Sequence, residues 1–213
     1  MSRTKGINSE IRHPLDEYIT PPWCVERLFE AYPLPPGLLL CDPCASRGEL
    51  LSTVRALRPD LRLMGVEINP ECAPQLVSVC GGSHIIGDFL KLPTPKSPGN
   101  SIILTNPPYS LAQDFIEHSL KFSTLVIMLL RLNFLVCRDR RGFTERTNPG
   151  VFVLPNRPSF NGRGSDGTEY GWFVYGDPDV AGTWKVLFTS PPTQISEWNQ
   201  QMRRRYPKSK ETT

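Results

Sequence analysis

An α/β fold is predicted, with one mostly parallel sheet, helices on both faces and an antiparallel strand near the C-terminal end. Three observations carry this reading. Short apolar runs alternate with helical patterns over residues 38–130, and such βαβα units build a parallel sheet because its strands need crossover connections. Beyond residue 150 the pattern changes to apolar runs separated by turn-rich loops, which suits a closing, hairpin-like addition to that sheet. The length of 213 residues suits one compact core with little to spare.

The elements follow in chain order. Pro22–Tyr32 places a proline near its start and Val25, Leu28 and Phe29 at helical spacing, so a short helix is expected before the first strand. Strands are expected at Leu38–Cys41, Arg62–Val66, His84–Ile86, Ile102–Thr105 and Leu125–Leu130. Helices at Glu49–Leu57, Glu71–Val79 and Gln113–Lys121 connect them. Val151–Leu154, Tyr170–Tyr175 and Trp184–Phe188 are the late strands. From Gln194 to Tyr206, the residues Ile195, Trp198, Met202 and Tyr206 form one helical stripe, read as an amphipathic helix packed on the body. The organisation expected is a single domain over residues 1–206, with 14–130 as its first part, 131–206 as its completion, and a basic flexible tail at 207–213.

Composition narrows the function classes. No run approaches the roughly 18 apolar residues that cross a bilayer, and the polar stretch from Met1 to Arg12 has no apolar signal core, so a cytoplasmic protein without a membrane partner is expected. The six cysteines (Cys24, Cys41, Cys44, Cys72, Cys80 and Cys137) are scattered and read as reduced thiols. Cys41 and Cys44 have zinc-like spacing but lack a second pair, so no metal is expected. The net charge of +3 hides an asymmetry: residues 1–130 carry 11 Lys/Arg against 13 Asp/Glu, residues 131–213 carry 13 against 8. Clusters at Arg138, Arg140, Arg141 and Arg146, and at Arg203, Arg204, Arg205, Lys208 and Lys210, suit contact with phosphates, although a solvated face has the same composition. Four proline doublets punctuate the chain, and there is no internal repeat.

Ligands of open parallel sheets bind beyond the carboxyl ends of the strands, so the residues after each strand are where chemistry is sought. The first strand is followed by Asp42-Pro43-Cys44-Ala45-Ser46-Arg47-Gly48, a turn of small residues that lets backbone approach a ligand closely. The second leads to Glu67-Ile68-Asn69-Pro70, where a carboxylate about 20 residues past such a turn can hold both hydroxyls of a ribose. After the third come Gly87, Asp88 and Phe89, and after the fourth Asn106-Pro107-Pro108-Tyr109. The Asn106 amide oxygen and the carbonyl beside Pro107 can both accept from one flat NH2 group, drawing its lone pair out of conjugation, while the prolines fix the backbone that aims them. Tyr109 can stack on the same base. These are the parts needed to methylate an exocyclic amine. Asp42 as a helix cap, Glu67 as a surface carboxylate and Asp88 as a turn residue are the plainer alternatives, and the succession of four signals at four strand ends weighs against them jointly.

On these residues the chain resembles the S-adenosylmethionine-dependent, adenine-specific (N6) DNA methyltransferases of the small, phage-like type. The resemblance covers roughly residues 14–176 and is carried by the NPPY segment, the turn Asp42–Gly48 and Asp16-Glu17-Tyr18-Ile19-Thr20-Pro21-Pro22-Trp23. It implies a Rossmann-like class I methyltransferase with a seven-stranded sheet, S-adenosyl-L-methionine as cofactor, and DNA as partner, in a bacterial, phage or prophage setting. It further implies that Tyr18, Thr20, Pro21 and Trp23 lie against the methionine end of the cofactor. Asp42, Pro43, Cys44, Ala45 and Gly48 would embrace its amino-acid part, Glu67 and Ile68 its ribose, and Asp88 and Phe89 its adenine. The family also supplies a late-loop aromatic to the target base, for which Phe160 is the candidate; Arg138, Arg140 and Arg141 are expected as substrate contacts from the charge cluster described above. One departure is Ser46, where the family more often has glycine; a serine fits there if its torsions are ordinary.

The mechanism implied is direct in-line transfer with base flipping. Asn106 is neutral, so its role is orientation and stabilisation of the charge developing on nitrogen. Pro43-Cys44 imitates the nucleophile of cytosine C5 methyltransferases but stands at the first strand, not the fourth, and is rejected in that role. Adenine in RNA and a protein glutamine amide present similar nitrogens. Glutamine methyltransferases usually carry an N-terminal helical domain and a glycine-richer first turn, whereas only about 37 residues precede the first strand here. A non-catalytic nucleic-acid-binding relic is the alternative from another class. About 104 residues come after the NPPY segment and most must complete the sheet, so the loops at Arg138–Pro149 and Arg157–Glu169 are the expected means of target recognition.

Overall fold

The computed structural model of the protein describes residues 18–165 and 167–205; Asp16, Glu17, Tyr206 and the basic tail lie outside them. Helix α1 (Pro22–Ala31) begins on Pro22, where a missing N–H is harmless, and turns Trp23, Cys24, Val25 and Leu28 inward. Strand β1 (Leu39–Asp42) leads through the small-residue turn into α2 (Glu49–Leu57), then β2 (Arg62–Glu67), α3 (Ala73–Cys80) and β3 (His84–Ile86). Strand β4 (Gly99–Thr105), α4 (Ala112–Phe122) and β5 (Ser123–Arg131) complete the parallel part. Next come a short helix α5 (Arg141–Thr147), strands β6 (Gly150–Val153), β7 (Tyr170–Tyr175) and β8 (Trp184–Val186), and α6 (Pro192–Arg205). No described helix is long and apolar enough to cross a membrane.

One sheet of eight strands runs in the order β3-β2-β1-β4-β5-β7-β6-β8, one strand more than the resemblance implied. Strands β1 to β5 are mutually parallel, and β7 inserts antiparallel between β5 and β6. The chain steps outward from β1 to β3 and then returns to place β4 on the other side of β1. That reversal opens a crevice at the carboxyl ends of β1 and β4.

Side chains alternate across the sheet with the two-residue period of a strand, feeding one core on each face. Leu40, Leu104, Ile127, Leu129, Trp172 and Val174 face α1, α2 and α3. Ile103, Val126, Met128, Leu130, Phe173 and Tyr175 face α4 and α5. Strands buried on both sides must be apolar, which is why Leu125–Leu130 of β5 and the whole of β7 read as apolar runs. Trp172 ties the late strands to the first helix: its Nε1–H donates to the Cys24 carbonyl at 2.8 Å.

Candidate active-site cleft

The turn after β1 is fixed by two carboxylates. Asp42 is 2% exposed and its Oδ1 accepts the Cys44 backbone N–H at 3.0 Å. Burial raises its pKa to about 7 against that hydrogen bond, and the nearby charges of Glu67 and Glu49 push the same way. Glu67, at the end of β2, accepts the Ser46 N–H at 2.8 Å through Oε2 and the Asn69 N–H at 2.8 Å through Oε1, bracing the loops after β1 and β2 together. Ser46 is held at φ 46°, so the serine occupies a left-handed conformation rather than an ordinary one. Gly48, at φ 85°, caps α2, and a Cβ there would lie 3.1 Å from Val79 Cγ2.

After β3, Asp88 begins a short 3-10 turn: its Oδ1 accepts the Leu90 N–H at 3.1 Å, and Oδ2 lies 3.0 Å from Lys91 Nζ. Phe89 stacks on Phe115 of α4 at 5.7 Å. After β4 the prolines carry the chain over the sheet edge. Asn106 Nδ2–H donates to the Tyr18 carbonyl at 3.0 Å, and its Oδ1 accepts the Tyr109 hydroxyl at 2.9 Å. The Tyr109 ring lies 5.8 Å from Tyr18 and 5.6 Å from Tyr170, and Phe160 meets Tyr18 edge-on at 5.5 Å.

Most of these groups share one cleft of about 870 Å³, within the ordinary range for small-molecule sites. Its lining includes Tyr18, Pro43, Cys44, Glu67, Ile68, Asp88, Phe89 and the whole of Asn106 to Tyr109. Asp42, Ala45 and Gly48 lie buried under the turn. Thr20 and Pro21 are buried too, and Trp23 is 1% exposed in the core, because the first turn of α1 presents its largest apolar side chain to the sheet. Phe160, 7% exposed, does not line the cleft but packs on Tyr18 and Tyr170 behind it.

The arginines divide. Arg140 lines the cleft with its guanidinium 4.5 Å from the Phe134 ring centre, whereas Arg138 and Arg141 are exposed and pair with Asp139 and Glu145. In the basic C-terminal cluster, Arg203 donates to the Gly162 carbonyl at 2.7 Å and Arg205 pairs with Glu49 at 2.6 Å. The stretch read as a loop from Arg138 to Pro149 contains α5, whose Phe143 is buried against Phe134.

Several lining residues escaped the sequence reading: Leu90, Arg131, Asn133 and Phe134. Arg131 ends β5, its guanidinium 5.0 Å from the Tyr109 ring centre and its Nε–H donating to the Tyr170 hydroxyl at 3.2 Å. The rule that located the other groups, inspection of the residues at the carboxyl end of each strand, points to Arg131–Phe134 when applied to the fifth. Burial pushes the Cys44 thiol well above its usual range, and the charge of Asp42 adds to that.

Neither a protein-family model nor a curated protein sequence matches the chain. Its fold is similar to that of the methyltransferase subunit of a type I restriction-modification system from Streptococcus thermophilus, at 15% identity and a TM-score of 0.62 over 89% of this chain and 53% of that one. The chain thus spans about half the length of that subunit. Similar folds occur in the 23S rRNA methyltransferase ErmE (13% identity, TM-score 0.54, 84% of this chain and 74% of that one) and in a dimethyladenosine transferase from Plasmodium falciparum (12% identity, TM-score 0.53, 87% and 68%). At these identities the likeness is one of fold: a mostly parallel sheet with helices and an antiparallel C-terminal strand pair.

Proposed function

We propose that the protein transfers the methyl group of S-adenosylmethionine to the exocyclic N6 amine of adenine in DNA, flipping the base into the cleft. The observation that carries this reading is the position of the Asn106 amide and the Pro107 backbone at one end of a cleft whose other end is formed by Glu67 and Asp88. The fold neighbours include a methyltransferase subunit of a type I restriction-modification system and a 23S rRNA methyltransferase, which supports the reaction class.

The residues present fit the cofactor. Each oxygen of Glu67 accepts one backbone N–H and retains a lone pair for a ribose hydroxyl. Phe89 and Leu90 offer an apolar wall for a purine. Bound there, S-adenosylmethionine supplies an electrophilic methyl on a sulfonium. Asn106 Oδ1 then accepts from the substrate amine in place of the Tyr109 hydroxyl, and Tyr109 holds the base by its face. That methyl would pass to the amine nitrogen, and the amine proton would leave to solvent once it had arrived. Asn106 stabilises the positive charge on nitrogen without taking that proton.

Labelled methyl transfer to duplex DNA, single-stranded DNA, RNA and protein, run side by side, tests the proposal. Label in N6-methyladenine of DNA is expected. Adenine in RNA is the second reading, favoured by the rRNA methyltransferase among the fold neighbours, and label confined to RNA would install it instead. Label in glutamine would overturn both.

A further inference from the structure

Helix α6 reaches two segments distant in sequence, and both lead directly into the ring cluster beside Asn106. In a buried hydrogen bond, Trp198 Nε1–H donates to the Ser159 carbonyl at 2.8 Å, one residue before Phe160. Arg203 Nε–H donates to the Gly162 carbonyl at 2.7 Å, two residues after it. Gly162 has φ 71°, and a Cβ there would fall 2.5 Å from the Asn199 carbonyl oxygen and 2.6 Å from Met202 Cβ, so this backbone lies directly on the helix. Trp198 and Met202 also pack on Ile19, forming an apolar cluster separate from the two main cores. Ile19 follows Tyr18, whose carbonyl accepts the Asn106 amide N–H at 3.0 Å and whose ring meets Phe160 at 5.5 Å and Tyr109 at 5.8 Å.

The helix is not simply a cover for the core. Half-buried Ile195 packs against one main core, but the two buried residues among its 14, Trp198 and Met202, join neither of the clusters that fill the faces of the sheet. Both serve the segments that carry Phe160 and Tyr18.

We infer that α6 is the positioning element of the substrate half of the cleft: Trp198 and Met202 hold in one place the backbone that presents Phe160 and the backbone that presents Tyr18. Through the Tyr18 carbonyl they also set the orientation of the Asn106 amide. The mechanical coupling stands on the contacts alone, whereas its catalytic consequence rests on the proposed methyl transfer.

Two substitutions in the full chain test it. Trp198→Phe removes the N–H donor but keeps most of the apolar volume, and Gly162→Ala forces the loop off the helix. Hydrogen exchange is expected to quicken in both variants around residues 18–20 and 157–164 together, with β1 to β5 unchanged. Methyl transfer should show kcat lowered by about 10- to 100-fold, the scale of a small misplacement of reacting groups, with cofactor affinity at the wild-type value. Faster exchange in one segment without the other would overturn the coupling. Faster exchange in both with wild-type kcat would overturn the positioning role, as would a lowered melting temperature with kcat and KM unmoved. If the wild-type protein methylates no substrate, the proposed function fails, and the exchange result still decides whether α6 couples the two segments.

Discussion

The two ends of the cleft are charged oppositely and built differently. The end formed by β1, β2 and β3 carries the lining carboxylates Glu67 and Asp88, whereas the end formed by β4 and β5 carries the lining cations Arg131 and Arg140. At the acidic end each carboxylate already works for the fold, Glu67 by bracing two loops and Asp88 by capping a turn. At the basic end the guanidiniums lie near aromatic rings, Arg131 at Tyr109 and Arg140 at Phe134. A ligand at the first end meets a preformed backbone, whereas one at the second must rearrange contacts among side chains. A cationic methyl donor and an anionic nucleic acid suit these two ends respectively, and five variants probe the difference.

The largest effect is expected at the basic end, where Asn106→Ala should lower the single-turnover methylation rate by about 100- to 1000-fold and leave cofactor binding intact. A wild-type rate at saturating cofactor would remove Asn106 from the chemistry. At the acidic end, Asp42 titrates in the folded protein at about 7, above its usual 3.8. The folded state therefore binds the proton more tightly, and the stability so gained is complete below the lower value and lost as pH rises through the upper one. Asp42→Asn should be stabilised relative to the wild type across that window, by on the order of 1 kcal/mol per pH unit at the steepest point. Melting curves from pH 4 to 8 check this, and parallel curves would mean that Asp42 ionises normally.

Glu67→Ala should weaken cofactor binding by about 1.5–3 kcal/mol, read by calorimetry, and also lower the melting temperature, since the N–H groups of Ser46 and Asn69 lose their acceptor. A loss of stability with unchanged affinity would make Glu67 a brace only. The smallest effect separates the arginines. Arg140→Ala should reduce the logarithmic salt slope of DNA binding by about 0.7–0.9, whereas Arg138→Ala with Arg141→Ala should leave it unchanged, because those two point outward in ion pairs. The opposite result would move the DNA path off the cleft.

The sequence was most informative where local chemistry and tertiary role coincide. Helix α2 lies at Glu49–Leu57 as expected, since Gly48 starts it and Pro59 comes just past its end. The β strands around the crevice matched to within a residue or two at their carboxyl ends, because a buried parallel strand has little choice of composition. The burial of Trp23 was not legible, since a tryptophan beside two prolines reads equally as a ligand wall or a core anchor until α1 has a partner to pack on. Helix α5 was missed because Gly142 interrupts a short polar stretch whose ordering comes from Phe143 meeting Phe134, which in turn meets Phe173. The division of the arginines depends on that helix and so was hidden with it. At Ser46 the departure from glycine marked the position, but the positive φ itself goes with a hydrogen bond to a carboxylate 21 residues away and was not legible.

The insertion of β7 between β5 and β6 has a consequence for synthesis. A nascent chain that has delivered β5 and β6 still lacks the strand that joins them, and the edge of β5 stays open until residue 175 emerges. The contact of α6 with Ile19 then closes a loop spanning most of the polypeptide, which places it among the slowest of the native pairings to form. The ring cluster beside Asn106 should accordingly be the last part of the molecule to acquire its shape, some time after the acidic end is already in place. In pulse-labelled refolding, protection near Tyr18 and Phe160 should lag behind protection in β1 and β2.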